Sequence, residues 1–171
     1  FVAEVGSAEV RVTLPEEIAY IISDILRDNN ARQEAFGPNS QLVIPGRSVS
    51  VKTGTTNDQR DNWTIGYTPD VLVATWVGNN DNSSMSYVAS GITGASPIWN
   101  KIMRRLLADQ KDHPPAIPDG VVSRSVCTVT GLLPTDQNPC EVRGELFIKD
   151  IFPPPNIPVL KQIWVRRSDK Y

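Results

Sequence analysis

Histidine occurs once and cysteine twice in 171 residues, so a His-rich metal centre and a Cys-based zinc site both lack their ligands. No apolar run approaches the roughly eighteen residues that a membrane-spanning helix requires. The net charge is −2 and no run of lysine or arginine suggests nucleic-acid binding, so the electrostatic footprint of such a protein is missing. Internal repeats are absent. A P-loop is absent too: Lys52-Thr53 follows Gly46, but no second glycine directly precedes the lysine, and phosphate cradling needs that backbone freedom. The oxygen-rich run Asn79-Asn80-Asp81-Asn82 lacks the glycine and the late glutamate of a calcium loop, and reads as a turn. His113, ahead of Pro114-Pro115, reads as solvated.

A hydrophobic content of 40% over this length is enough for one core, or for one core and a small appendage. Thr13 and Glu16 have the spacing of a capping box, and Ile18, Ile21, Ile22, Ile25 and Leu26 then form one helical face that ends near Asn29-Asn30. That face reads as core. Residues 31–46, with Gly37-Pro38-Asn39 and Pro45-Gly46, read as a loop. Alternation in Val49-Ser50-Val51 begins a strand, and two further apolar segments, residues 63–67 and 71–78, flank the turn residues Thr68-Pro69-Asp70. Residues 56–62 read as a polar hairpin turn, and Trp63 either walls a cleft or packs in the sheet. Ser96 is placed to cap a last helix with Pro97 at its first position and Ile98, Trp99, Ile102, Met103, Leu106 and Leu107 as its buried stripe.

The chemistry concentrates at Lys52-Thr53-Gly54-Thr55. On a strand Thr53 and Thr55 point one way and Lys52 and Gly54 the other, so a single ligand reaches both sets only along the strand's edge. An extended peptide can add there as an extra strand, with Gly54 giving clearance to its backbone. The Thr55 N–H at that edge can serve as half of an oxyanion hole, and the cation and hydroxyls suit a carboxylate.

From Lys52 the chain runs KTGTTNDQRDNWTIGYTPDVLVATWVGNNDN, which resembles the third-motif region of class A penicillin-binding proteins, the transpeptidases that build peptidoglycan. The resemblance continues through Gly91-Ile92-Thr93-Gly94-Ala95-Ser96-Pro97-Ile98-Trp99 and, upstream, through residues 15–22, so that it covers about residues 13–108. It implies an α+β fold, a partial penicillin-binding and serine β-lactamase-like arrangement of an antiparallel sheet with packed helices, followed by an irregular proline-rich tail. It also implies roles. Lys52 supplies positive potential, Thr53 and Thr55 hold the terminal carboxylate of a D-Ala-D-Ala stem peptide or of a β-lactam, and the Thr55 N–H completes the oxyanion hole beside Gly54. No metal or cofactor is implied, and no nucleic acid.

The family's acyl-enzyme forms on the serine of an S-x-x-K motif, helped by an S-x-N motif, and neither pattern occurs between Ser7 and Ser168. The chain also opens at Phe1 inside what reads as a strand, residues 1–5, with a hairpin partner at residues 9–12. The expectation is a fragment carrying the C-terminal half of a transpeptidase domain, whose partner is the N-terminal half, and whose parent is anchored outside the cytoplasmic membrane. A D,D-carboxypeptidase or serine β-lactamase would share the Lys-Thr-Gly strand, and a non-catalytic module would lack the serine outright.

Nine of the fourteen prolines follow His113. Residues 1–112 are therefore read as transpeptidase half-domain, 113–126 as linker and 127–171 as a Cys-containing extension rather than a packed domain. In the extracytoplasmic setting the resemblance implies, Cys127 and Cys140 most simply form a disulfide that closes a loop, worth about 3 kcal/mol on the chain-entropy model. Residues 163–171 are basic and aromatic, a strand, a docking peptide or a disordered end.

Overall fold

The computed structural model describes residues 13–85 and 93–157. The hairpin expected in residues 1–12, the Gly91-Ile92 approach and residues 163–171 lie outside them. The chain divides into two compact units between Pro118 and Asp119.

In the first unit, α1 (Glu16–Arg27) and the short α2 (Gln33–Phe36) lead to β1 (Ser50–Thr55), β2 (Asp61–Tyr67) and β3 (Leu72–Gly78), and α3 (Ala95–Leu107) follows. The three strands form one antiparallel sheet in the order β1-β2-β3. The polar residues after Thr55 make the first connection with a 3-10 turn over Asn57–Gln59, and Asp58 and Gln59 there take positive φ. The Thr68 N–H donates to the Val71 carbonyl at 2.8 Å and closes the second, in the turn the sequence marks. The α+β architecture agrees with the sequence reading.

Alternation sorts the sheet into two faces. Val51, Gly66 and Val73 lie in one cross-strand row and pack on Trp99 and Met103 of α3, forming a core with Leu42, Ile44, Val49 and Leu107. Gly66 is needed for that contact, because an added Cβ would lie 2.8 Å from Trp99 Cε2. On the opposite face Ser50 and Tyr67 meet α1: Ser50 Oγ donates to the Ser23 carbonyl at 2.7 Å, and Ser23 Oγ lies 2.9 Å from Tyr67 Oη.

Several sequence expectations change. Pro15 sits at the N-cap of α1, which has no side-chain cap, so Thr13 and Glu16 make no capping box; Glu16 and Glu17 still favour the positive end of the helix. The isoleucine face of α1 is not core, since Ile18, Ile22 and Ile25 are exposed, Ile25 by 61%, while Tyr20 is buried. The stripe of α3 divides: Trp99, Met103 and Leu107 are buried, whereas Ile98, Ile102 and Leu106 are exposed. Residues 31–46 are not wholly loop, because they contain α2.

The second unit also departs from expectation. The stretch read as linker contains β4 (Val121–Cys127), which pairs antiparallel with β5 (Val142–Ile148) inside the presumed extension. The prolines do not interrupt either strand; they stand in the connections at 134, 139 and 153–155, where a missing N–H breaks no ladder. Cys127 and Cys140 are bonded, with S–S 1.97 Å and a separation of 13 residues. Around them Asn156 is buried, its Nδ2 donating to Cys127 Sγ at 3.2 Å, and its carbonyl accepts Thr135 Oγ1 at 2.9 Å. Phe152 closes the outside, edge-on to Phe147 with ring centroids 5.9 Å apart and with the Arg124 guanidinium 5.2 Å from its own centroid.

Candidate functional site

Lys52, Thr53, Gly54 and Thr55 make up the C-terminal part of β1, the strand at one end of the sheet order. The phase of its hydrogen bonding follows from one contact: the Thr56 N–H donates to the Asp61 carbonyl at 3.1 Å. Antiparallel ladders alternate, so Lys52 and Gly54 bond toward β2, while Val51, Thr53 and Thr55 turn their N–H and C=O groups to the side away from it. Lys52 Nζ folds back to donate to the outward Thr53 carbonyl. Val51, Lys52 and Thr53, three consecutive residues, border a 230 Å³ cleft whose other wall is Ile25, Leu26 and Phe36. Since successive side chains of a strand point to opposite faces, a cleft touching all three runs along the strand's outer edge.

Nothing among the described residues demands glycine at position 54. Its φ is ordinary, and an added Cβ would meet only Trp63 Cβ, at 4.0 Å. Trp63 itself is half-exposed on the Gly54 face beside Trp76, whose Nε1 donates to Asp61 Oδ2 at 3.0 Å. Arg60 stands apart from the strand: its Nη1 donates to the Asn82 carbonyl at 3.1 Å and Nη2 lies 3.7 Å from Asp58. His113 is exposed, yet its Nδ1 lies 2.8 Å from Oδ2 of Asp70 in the β2–β3 turn.

Behind the strand lies a set of residues that sequence reasoning missed. Asn62, Thr64 and Ser96 are fully buried, and Thr75 nearly so. Register pairs Asn62 with Thr55 and Thr64 with Thr53, one row into the sheet. Asn62 Oδ1 accepts the Ala95 N–H at 2.8 Å, Thr64 Oγ1 lies 2.8 Å from Ser96 Oγ, and Thr75 Oγ1 donates to the Ala95 carbonyl at 3.0 Å. Ser96 is thus no N-cap: α3 starts at Ala95 with Gly94 at the cap position, and the cap comes from strand β2. At the other end of α3, Arg47, just before β1, donates to the Leu107 carbonyl at 3.1 Å and to the Gln110 carbonyl at 2.5 Å. Alternation counted backward from Trp63 places position 62 on the inward face, which is the one sequence signal for Asn62.

The arrangement can receive an extended chain along β1, with outward amides, two hydroxyls and an ammonium at its side. The chain is also similar to known proteins. Residues 117–153 match the family model described as "Penicillin-binding protein 1A, C-terminal domain". Penicillin-binding protein 1A of Pseudomonas aeruginosa is 35% identical over 113 residues, 66% of this chain and 13% of that protein. The protein of the same name from Clostridium botulinum is 30% identical over 139 residues, 81% of this chain and 16% of its own length. The crystal structure of penicillin-binding protein 1A from Haemophilus influenzae superposes with a TM-score of 0.56 at 32% identity, covering 63% of this chain and 16% of that one. The chain thus spans between an eighth and a sixth of the length of these relatives. On sequence and fold together, the chain belongs to the class A penicillin-binding protein family and matches part of its C-terminal region.

Proposed function

We propose that Lys52-Thr53-Gly54-Thr55 is the carboxylate and oxyanion strand of a peptidoglycan D,D-transpeptidase, completed by a serine nucleophile from a segment outside these 171 residues. The observation that carries this reading is the position of the motif on β1, at one end of the strand order among the described residues, with the Thr53 and Thr55 amides turned to the side away from β2. The serine Oγ attacks the penultimate D-Ala carbonyl of the stem peptide, and its proton goes to the leaving amine as terminal D-Ala departs. An acceptor amine then attacks the acyl ester and releases the serine, which joins two stem peptides. Thr53 and Thr55 hydroxyls hold the terminal carboxylate, Lys52 supplies the positive potential, and the Thr55 N–H faces the developing oxyanion. Gly54 keeps the ligand backbone close, a role supported by the lack of any demand for glycine there among the described residues.

A β-lactam fills the same place, with its carboxylate on the threonines and its carbonyl at the oxyanion position. The exposed apolar faces of α1 and α3 support a further segment, the N-terminal half of the domain, as their cover. The Cys127–Cys140 disulfide supports an oxidising, extracytoplasmic setting, while no helix among the described residues is long and apolar enough to cross a membrane. Fluorescent penicillin tests the reading. A complete domain containing this segment becomes covalently labelled and the 171-residue chain alone does not. Labelling of the chain alone would show that the nucleophile has been misassigned, and an unlabelled complete domain would sink the transpeptidase reading.

A further inference from the structure

We propose that Asn62 is the positioning residue of this site, acting through strand register on Thr55, and that the Asn62-Thr64-Ser96-Thr75 dock exists to hold the oxyanion strand still. The inference rests on the functional reading above.

The sheet–helix interface has two halves with different chemistry. Toward the C-terminal end of α3 it is apolar, with Val51, Gly66 and Val73 against Trp99 and Met103. Toward the helix start it is polar, although it is at least as deeply buried. Buried polar groups are costly unless satisfied, and an apolar row would have extended the core without that cost. What the polar row adds is direction. Van der Waals contact tolerates small slides, whereas Asn62 Oδ1 on the Ala95 N–H fixes β2 against α3 at one point, and Thr64 on Ser96 fixes a second, two residues further along β2.

Gly94 tightens the same joint. An added Cβ there would lie 2.6 Å from Asn62 Nδ2 and 2.7 Å from Oδ1, so the helix cap and the amide are seated directly against one another. The two fixed points stand in register opposite Thr55 and Thr53, the residues whose amides and hydroxyls would meet the ligand. The C-terminal end of α3 is tied through Arg47 to the chain entering β1. The helix therefore splints the strand at both ends, and an oxyanion donor acts only when preorganised at the place where charge develops.

The test uses the complete penicillin-binding domain and penicillin as probe, separating reversible binding from the acylation step. Asn62→Leu, similar in volume but without the acceptor, should slow acylation at saturating penicillin by roughly tenfold or more, with penicillin affinity changed by less than about threefold. Met103→Ala is the structural control: it removes packing from the same helix, and should lower the melting temperature without slowing acylation. An Asn62→Leu domain acylated at the wild-type rate overturns the inference, as does a rate loss that simply follows melting temperature in both variants. If Asn62→Leu gives no folded domain, Ser96→Ala removes one bond of the dock without adding bulk. A rate loss of about threefold supports the inference there, and an unchanged rate overturns it. A wild-type domain that penicillin does not acylate overturns the functional reading, and this inference with it.

Discussion

At Gly66 an added Cβ would lie 2.8 Å from Trp99 Cε2, whereas at Gly54 it would meet only Trp63 Cβ at 4.0 Å. The two glycines thus separate a packing requirement from the proposed role at the strand. Gly66→Ala should destabilise the first unit by about 1–3 kcal/mol, because the Trp99 ring must move in a packed core. Gly54→Val should leave the melting temperature near that of the wild type, since valine suits an edge strand, while penicillin acylation of the complete domain falls by about tenfold or more. Thermal unfolding and labelling kinetics on the two variants check this, and a Gly54→Val domain that is fully reactive would remove the clearance role. The roles proposed for Lys52, Thr53, Gly54 and Thr55 can be argued from the sequence because these residues are contiguous and the proposed chemistry needs only the strand period. That of Asn62 cannot, because its meaning lies in a bond to Ala95, 33 residues away.

Among the elements, the three strands could be read from alternation and from the Thr68-Pro69-Asp70 turn, which are local signals. The helical faces were harder. Periodicity shows that Ile18, Ile22 and Ile25, or Ile98, Ile102 and Leu106, share a side, but not whether the partner for that side is in the chain. Proline counting hid β4 and β5, since prolines that cluster in connections say little about the strands between them. One link between elements depends on pH. Ser48, which precedes β1, donates its N–H and Oγ to Asp112 beyond α3 at 2.7 and 2.8 Å. Burial pushes the Asp112 carboxyl up, but the Ser48 bonds, with Arg47 and Arg27, outweigh it and hold the group below its ordinary value. A depressed acid stabilises the fold above its unfolded value, and that contribution is lost as pH falls through the folded value. Asp112→Asn should therefore be slightly less stable than wild type at neutral pH, with the difference closing as pH drops below about 4. Melting curves across that range check the point, and a constant offset at every pH would contradict it.

Over the whole molecule, each unit has its own interior. The second closes on the Cys127–Cys140 bridge and buried Asn156, with the β4–β5 hairpin as its frame. The first keeps one sheet face on α3 and leaves Trp63, Ile65 and Trp76 half-exposed on the other, and Ile18, Ile22 and Ile25 of α1 and Ile98, Ile102 and Leu106 of α3 are exposed as well. So much apolar surface on one unit fits a segment made to be covered, in line with a chain that spans 13% of its Pseudomonas aeruginosa relative. The most direct measurement is the second-order rate constant for penicillin acylation of the complete domain carrying Lys52→Ala or Arg60→Ala. Lys52→Ala should lower it by about a hundredfold, and Arg60→Ala, whose guanidinium holds the Asn82 carbonyl away from the strand, by less than about threefold. Equal losses in the two variants would contradict the placement of the site along β1.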